Sequence, residues 1–108
     1  MNLSHEFKKE DREYFRYEYA CMECGRSDRG LELHHIKGRR NFEKFLSSIF
    51  NASLLCKYCH DKILHTKEEE EKFVLKTMKH LKEEGYIPVE RDIEYLKRYN
   101  LLDLTKKI

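Results

Sequence analysis

The sequence lacks any run of about 18 apolar residues, which excludes a helix built to span a membrane. Its opening, MNLSHEFKKEDRE, has no apolar stretch of the secretory kind, so the chain is expected to be soluble, intracellular and cytoplasmic, with no membrane partner. A large excess of one charge is also missing. Lys and Arg number 22 against 20 Asp and Glu, a net of +2, too small to attach the chain to nucleic acid by composition alone. Gln does not occur, while Lys and Glu are abundant, the direction of a thermophile's composition. There is no internal repeat and no low-complexity linker beyond the acidic run Glu68 to Glu71, which suits a helix amino terminus, where the dipole favours negative charge. With 108 residues there is too little chain for two independent cores, so one domain over residues 1–108 is expected. So small a core gains from an internal metal.

Cysteine is where the sequence becomes specific. Cys21, Cys24, Cys56 and Cys59 form two C-x-x-C pairs separated by 31 residues, and Gly25 follows the first pair. Two thiolates three residues apart reach one ion from a single tight turn, and two such turns complete a tetrahedron. In a reducing compartment this spacing points to metal, in particular to structural Zn²⁺, rather than to disulfides. Four buried core thiols without metal are the plainer alternative. Four sulfurs close the coordination sphere, so catalysis would have to lie elsewhere. Zinc-ribbon binding modules commonly carry a shorter insert of roughly 15 to 20 residues. The longer insert here holds adjacent histidines and an Arg-rich loop. Residues 21–65 carry eight Lys or Arg against five Asp or Glu, while residues 66–108 carry ten of each, so the positive excess travels with the Cys and His residues.

Coarse element assignment follows from period and punctuation. Residues 4 to about 14 are predicted as a first helix with Ser4 as N-cap. Phe15, Tyr17, Tyr19 and Cys21 alternate with polar neighbours as a strand would, and Leu31–Ile36 reads as a second short strand, together suggesting a hairpin with a knuckle at one end. Asn41 to Phe50 has room for one or two helical turns, and a helix can start at Asp61 to His65. Thr66-Lys-Glu-Glu69 fits a capping box for a helix with Val74, Met78 and Leu81 on one face, stopping at Gly85. After Pro88 comes a last helix, with Ile93 and Leu96 on one face, ending near Asn100.

Inside or beside the cysteine pairs lie His34-His35 at a strand end, Asn51 before the second knuckle, and His60 directly after Cys59. Singly, each has an ordinary explanation: a surface histidine, a turn cap, a spare zinc ligand. Jointly, LELHHIKGRR, then Asn51, then LLCKYCHDK resembles the HNH (His-Me finger) nucleases of the cysteine-bearing kind, over residues 21 to about 65. The resemblance implies an α+β fold: a small ββα-metal core over about 15–66, carrying a structural zinc knuckle, flanked by an N-terminal helix and a C-terminal helical extension over about 67–108. It implies His34 and His60 as ligands of a catalytic divalent ion, Mg²⁺ or Mn²⁺ with Ni²⁺ as another candidate, His35 as general base, and Asn51 as the residue that orients the base's loop. Some members carry a further ligand four residues after the first helical one. Here position 64 is Leu and the histidine is His65, about 140° round a helix from His60. His65 is thus a candidate ligand set against a helix-start or phosphate-contact role.

The residues themselves support a division of labour. Adjacent strand residues point to opposite sides, so His34 and His35 should not both ligate one ion. Phosphodiester hydrolysis needs a water-derived nucleophile, which an imidazole with pKa near 6.5 can activate, and stabilisation of phosphoryl and leaving-group charge, which a divalent cation supplies. Lys37, Arg39, Arg40, Lys57 and Lys62 are candidates for DNA phosphate contacts, salt-dependent and largely indifferent to sequence, as against a solvated basic loop. The expected activity is DNA endonuclease or nicking, by a monomer or homodimer. The rivals are a dimeric resolvase of branched DNA and a non-catalytic zinc-finger module. Small free-standing relatives often belong to phages or mobile elements, so the resemblance also implies a phage-encoded (in a bacterial host) or mobile-element origin and a packaging, recombination or restriction role.

Overall fold

Two short segments, Leu31–His35 (β1) and Ala52–Cys56 (β2), pair as antiparallel strands, with Leu31 opposite Cys56, Leu33 opposite Leu54, His34 opposite Ser53 and His35 opposite Ala52. The computed structural model describes residues 7–15, 20–26, 30–37, 44–63 and 66–108. β1 is the strand expected from LELHH. Among the described residues its partner is β2, and most of the strand expected over residues 15–21, namely 16–19, lies outside them. Phe15 closes a 3-10 turn (Glu13–Phe15). The first knuckle docks on β2 as well, with Met22 N–H donating to the Leu54 carbonyl at 2.8 Å. β2 runs directly into the second cysteine pair, so placing the first knuckle beside it brings all four thiols together.

The expected helix from residue 4 is shorter, Lys9–Arg12 (α1). Ser4 lies outside the described residues, and the residue before the helix, Lys8, is extended and makes no side-chain cap bond. Between the strands sit 3-10 turns at Lys44–Ser47 and Ile49–Asn51, the helical turns expected over Asn41 to Phe50. After β2 the chain enters Lys57–Lys62 (α2) at once, four residues ahead of the expected start at Asp61. The strand–strand–helix unit is therefore β1, β2 and α2, an α+β ββα core with a four-cysteine cluster.

The C-terminal elements brace that unit. Lys67–Glu83 (α3) begins at Thr66, whose hydroxyl accepts from Glu69 N–H at 3.2 Å, and buries Phe73, Val74, Thr77, Met78 and Leu81. Large apolar side chains of this kind contribute roughly 1.5–3 kcal/mol each on burial. Gly85, at φ 81°, ends the helix in a conformation that β-carbon-bearing residues disfavour. Glu90–Arg98 (α4) buries Asp92, Tyr95 and Leu96, with Ile93 only half-buried, so its inner face is turned from the expected Ile93/Leu96 stripe towards two polar side chains. Asn100, at φ 57°, closes it, and a 3-10 turn follows at Leu102–Lys107. The buried apolar residues from Phe7 to Leu104 form one cluster, with α3 against β2 and the Ile49–Asn51 turn, and α4 against both 3-10 turns between the strands.

Candidate metal centre and active site

A tetrahedral ion with metal–sulfur bonds of about 2.3 Å separates its sulfurs by about 3.8 Å. The Sγ atoms of Cys21, Cys24, Cys56 and Cys59 lie within 4.8 Å of one another, Cys24 and Cys56 at 3.9 Å. The four residues fit one thiophilic, tetrahedral ion and leave it no open position. Among the described residues this is the single such group of three or more ligands. Gly25, at φ 75°, lets the first knuckle turn tightly enough for its N–H to reach the Cys21 carbonyl at 2.9 Å.

The electrostatics of the cluster favour a cation. Burial pushes the Cys21 thiol up, but the backbone N–H groups of Cys24, Cys56 and Glu23 and the Cys59 thiol outweigh it and bring Cys21 down to about 6. Cys56 is lowered chiefly by the Cys59 backbone N–H, whereas burial and then the crowding of the other thiols raise Cys59. Some sulfurs are thus ready to ionise and another resists a second negative charge beside them, a conflict that a bound dication removes. From α3, Lys76 Nζ donates to the Met22 carbonyl at 2.8 Å and Lys72 Nζ sits 3.2 Å from both Glu23 oxygens, fixing the knuckle from outside.

The histidines separate as strand geometry requires. His34 turns towards α2, where its ring stacks on His60 with centroids 3.7 Å apart and planes 15° from parallel. His35, on the other side, stacks on Phe7 at 4.3 Å. Burial, followed by the neighbouring His60 and His35, lowers the pKa of His34 despite Glu32 and Asp61, so its imidazole is neutral at pH 7. Among the described residues, His34 Nε2 alone is a buried side-chain polar atom without a hydrogen-bond partner. An orphaned, neutral imidazole nitrogen beside a second imidazole is a donor set suited to a divalent ion. Ring-nitrogen lone pairs lie in the ring plane, so two stacked rings aim theirs side by side. Ligation of one ion by both requires a ring to turn.

Asn51 is fully buried at the end of the turn preceding β2. Its Oδ1 accepts from Lys37 N–H and from the Tyr95 hydroxyl, both at 2.8 Å, and its Nδ2 donates to the carbonyls of Leu46 at 3.0 Å and Lys37 at 3.3 Å. The Asn51 carbonyl takes the Ile36 N–H at 2.7 Å. Asn51 therefore grips, from both backbone and side chain, the two residues that follow His35. Tyr95, on α4, is the contributor that the sequence did not signal. Burial, with Glu70 and Tyr99 adding, raises its pKa well above the usual phenol value, so the hydroxyl keeps its proton and remains a donor.

The expected phosphate-binding cations lie in different settings. Lys37 is held by Glu70 at 2.8 Å and lies 4.9 Å over the Tyr99 ring, its side chain only 15% exposed. Lys62 lies over the exposed Tyr58 ring at 4.1 Å and bonds its hydroxyl, and Lys57 is exposed on the same helix. Arg39, Arg40 and His65 lie outside the described residues. No helix among the described residues is long and apolar enough to cross a membrane.

Comparison with known proteins adds one finding. The model of the HNH endonuclease family matches residues 21–66, the segment containing all four cysteines, His34, His35, Asn51 and His60. No curated protein and no solved structure matches the chain.

Proposed function

We propose that the chain, whose residues 21–66 match the HNH endonuclease family model and hold four cysteines placed to bind zinc, hydrolyses DNA phosphodiester bonds as a nicking or cutting endonuclease. The observation that carries this reading is the placement of His34 against His60 on one side of β1, with His35 directed to the other. In this proposal the four cysteines hold Zn²⁺ and only build the site. His34 and His60 would hold a divalent ion, Mg²⁺ or Mn²⁺, which when bound offsets charge on the phosphate and the departing 3′-oxygen. His35 takes a proton from the attacking water, and for this it must be neutral and correctly turned. Asn51 sets that orientation through the Ile36–Lys37 backbone. Lys57 and Lys62, on the helix bearing His60, meet phosphates, and Arg39 and Arg40 are candidates for the same work.

Incubation of the zinc-loaded protein with supercoiled plasmid tests the reading. Conversion to open-circular or linear DNA with Mg²⁺ or Mn²⁺, and none with EDTA, is the expected result. Binding without conversion under every metal condition would make the domain a non-catalytic module instead. Four-way junctions cut in preference to linear duplex would move the substrate class to branched DNA.

A further inference from the structure

We infer that Tyr95, which lies on α4 beyond the family-matched segment, is a positioning residue for the proposed nuclease site, acting through Asn51 on the loop that follows His35. The inference rests on the nuclease reading above. Asn51 has four hydrogen-bonding valences, and all four are used: Lys37 N–H and the Tyr95 hydroxyl on Oδ1, the Lys37 and Leu46 carbonyls on Nδ2. Three of these partners are backbone groups between the strands. The fourth arrives from 44 residues downstream.

α4 reaches the same turn a second time. One helical turn before Tyr95, the buried Asp92 carboxylate accepts from the Ser48 hydroxyl at 2.5 Å, and that hydroxyl in turn accepts from Phe50 N–H at 3.1 Å. Residues 48–51 are thus gripped at both ends by one face of α4, and the turn cannot rock without breaking a buried hydrogen bond. Asn51 transmits this fixity to Lys37, two residues past His35. A neutral base that must meet a water in line with a phosphate loses rate steeply when its angle wanders.

The test is Tyr95→Phe, which removes the hydroxyl alone. Leu104→Val, at a buried apolar site in the C-terminal turn, serves as a control for loss of stability. Plasmid nicking is measured in Mg²⁺ or Mn²⁺ well below both melting temperatures, together with amide hydrogen exchange in the zinc-loaded full chain. We expect Tyr95→Phe to lower kcat about 10-fold or more with KM nearly unchanged, the usual scale for a residue that orients a functional one. The Lys37 amide should exchange faster while amides of the β1–β2 ladder do not, and Leu104→Val should show neither change. An active parent whose Tyr95→Phe variant keeps full kcat and unaltered Lys37 exchange overturns the role of Tyr95 and leaves the nuclease reading standing. A parent that never nicks sinks the nuclease reading itself and removes any catalytic consequence of Tyr95. A rise in KM with kcat unchanged assigns Tyr95 to DNA binding and overturns positioning.

Discussion

Asp92 is a carboxylate inside the core, 1% exposed, and its two oxygens take three donors: the Ser48 hydroxyl, the Tyr86 hydroxyl and the Val89 N–H at 2.9 Å. Hydrogen bonds to a charged group contribute about 1.5–3 kcal/mol each, which is how the charge is tolerated there. The cost falls on Tyr86. Burial first, then the hydrogen bond to Asp92 and its charge, raise the Tyr86 pKa far above the ordinary phenol value. In the unfolded chain the same phenol ionises near pH 10. Above that pH the unfolded state releases a proton that the folded state retains, so the stability contribution is complete below about pH 10 and is lost as pH rises towards the folded pKa. Tyr86→Phe should be less stable than the parent at pH 8 and should lose stability less steeply between pH 10 and 12, as read by chemical unfolding at each pH. Equal slopes would mean that Tyr86 is not the buried donor described.

Among the elements, the two knuckles carry the most weight, because each is a tight turn whose cysteines mean little without the other. The first is set against β2 by the Met22–Leu54 bond, and the second is the first turn of α2 itself, with Cys56 as N-cap. Four sulfurs at this spacing hold strands and helix together only if they share an ion, and such a site is a folding element outright. Purified protein should carry one tightly held zinc per chain. Its removal by a chelator, or Cys59→Ser, should abolish or greatly lower the cooperative melting transition followed by circular dichroism. A metal-free chain that melts as before would show the thiols to be simple core residues. These elements also mark where sequence reading works and where it stops. The cysteine pairs, the Thr66 cap, the Val74/Met78/Leu81 face and Gly85 are local signals, and each is found in place. β2 was not legible as a strand, since five consecutive buried residues have no alternation to separate strand from helix. α2 offered no capping side chain at its start. The Phe15–Cys21 alternation suggested a strand, yet Phe15 closes a 3-10 turn and tilts against His80 with ring centroids 4.9 Å apart, buried by aromatic contact rather than by a ladder. Tyr95 and Asp92 gave no signal at all, because polar residues on an inner helix face acquire meaning only from partners 44 residues away.

Taken as a whole, the molecule sets a small ββα unit, rich in His, Cys and basic residues, on a charge-balanced helical support. The support is not a passive handle. α3 holds the first knuckle through Lys72 and Lys76 and takes the Ala52 carbonyl with the Thr77 hydroxyl at 2.5 Å, while α4 holds the turn before β2. Two of these contacts end on the first knuckle, at Glu23 and Met22, and two on the stretch from Asn51 into β2, which is flanked by β1 with the proposed base and by α2 with His60. The proposed hydrolysis is tested most directly by His35→Ala. His35 lies at the end of β1 and is only half-buried, so the variant should fold and keep its zinc. Loss of a general base costs about 100-fold or more in rate. The prediction is that His35→Ala, with zinc content and melting temperature close to the parent's, nicks supercoiled plasmid at least about 100-fold more slowly in the same divalent metal. A variant that nicks as fast as the parent would contradict the assignment of His35 as the base.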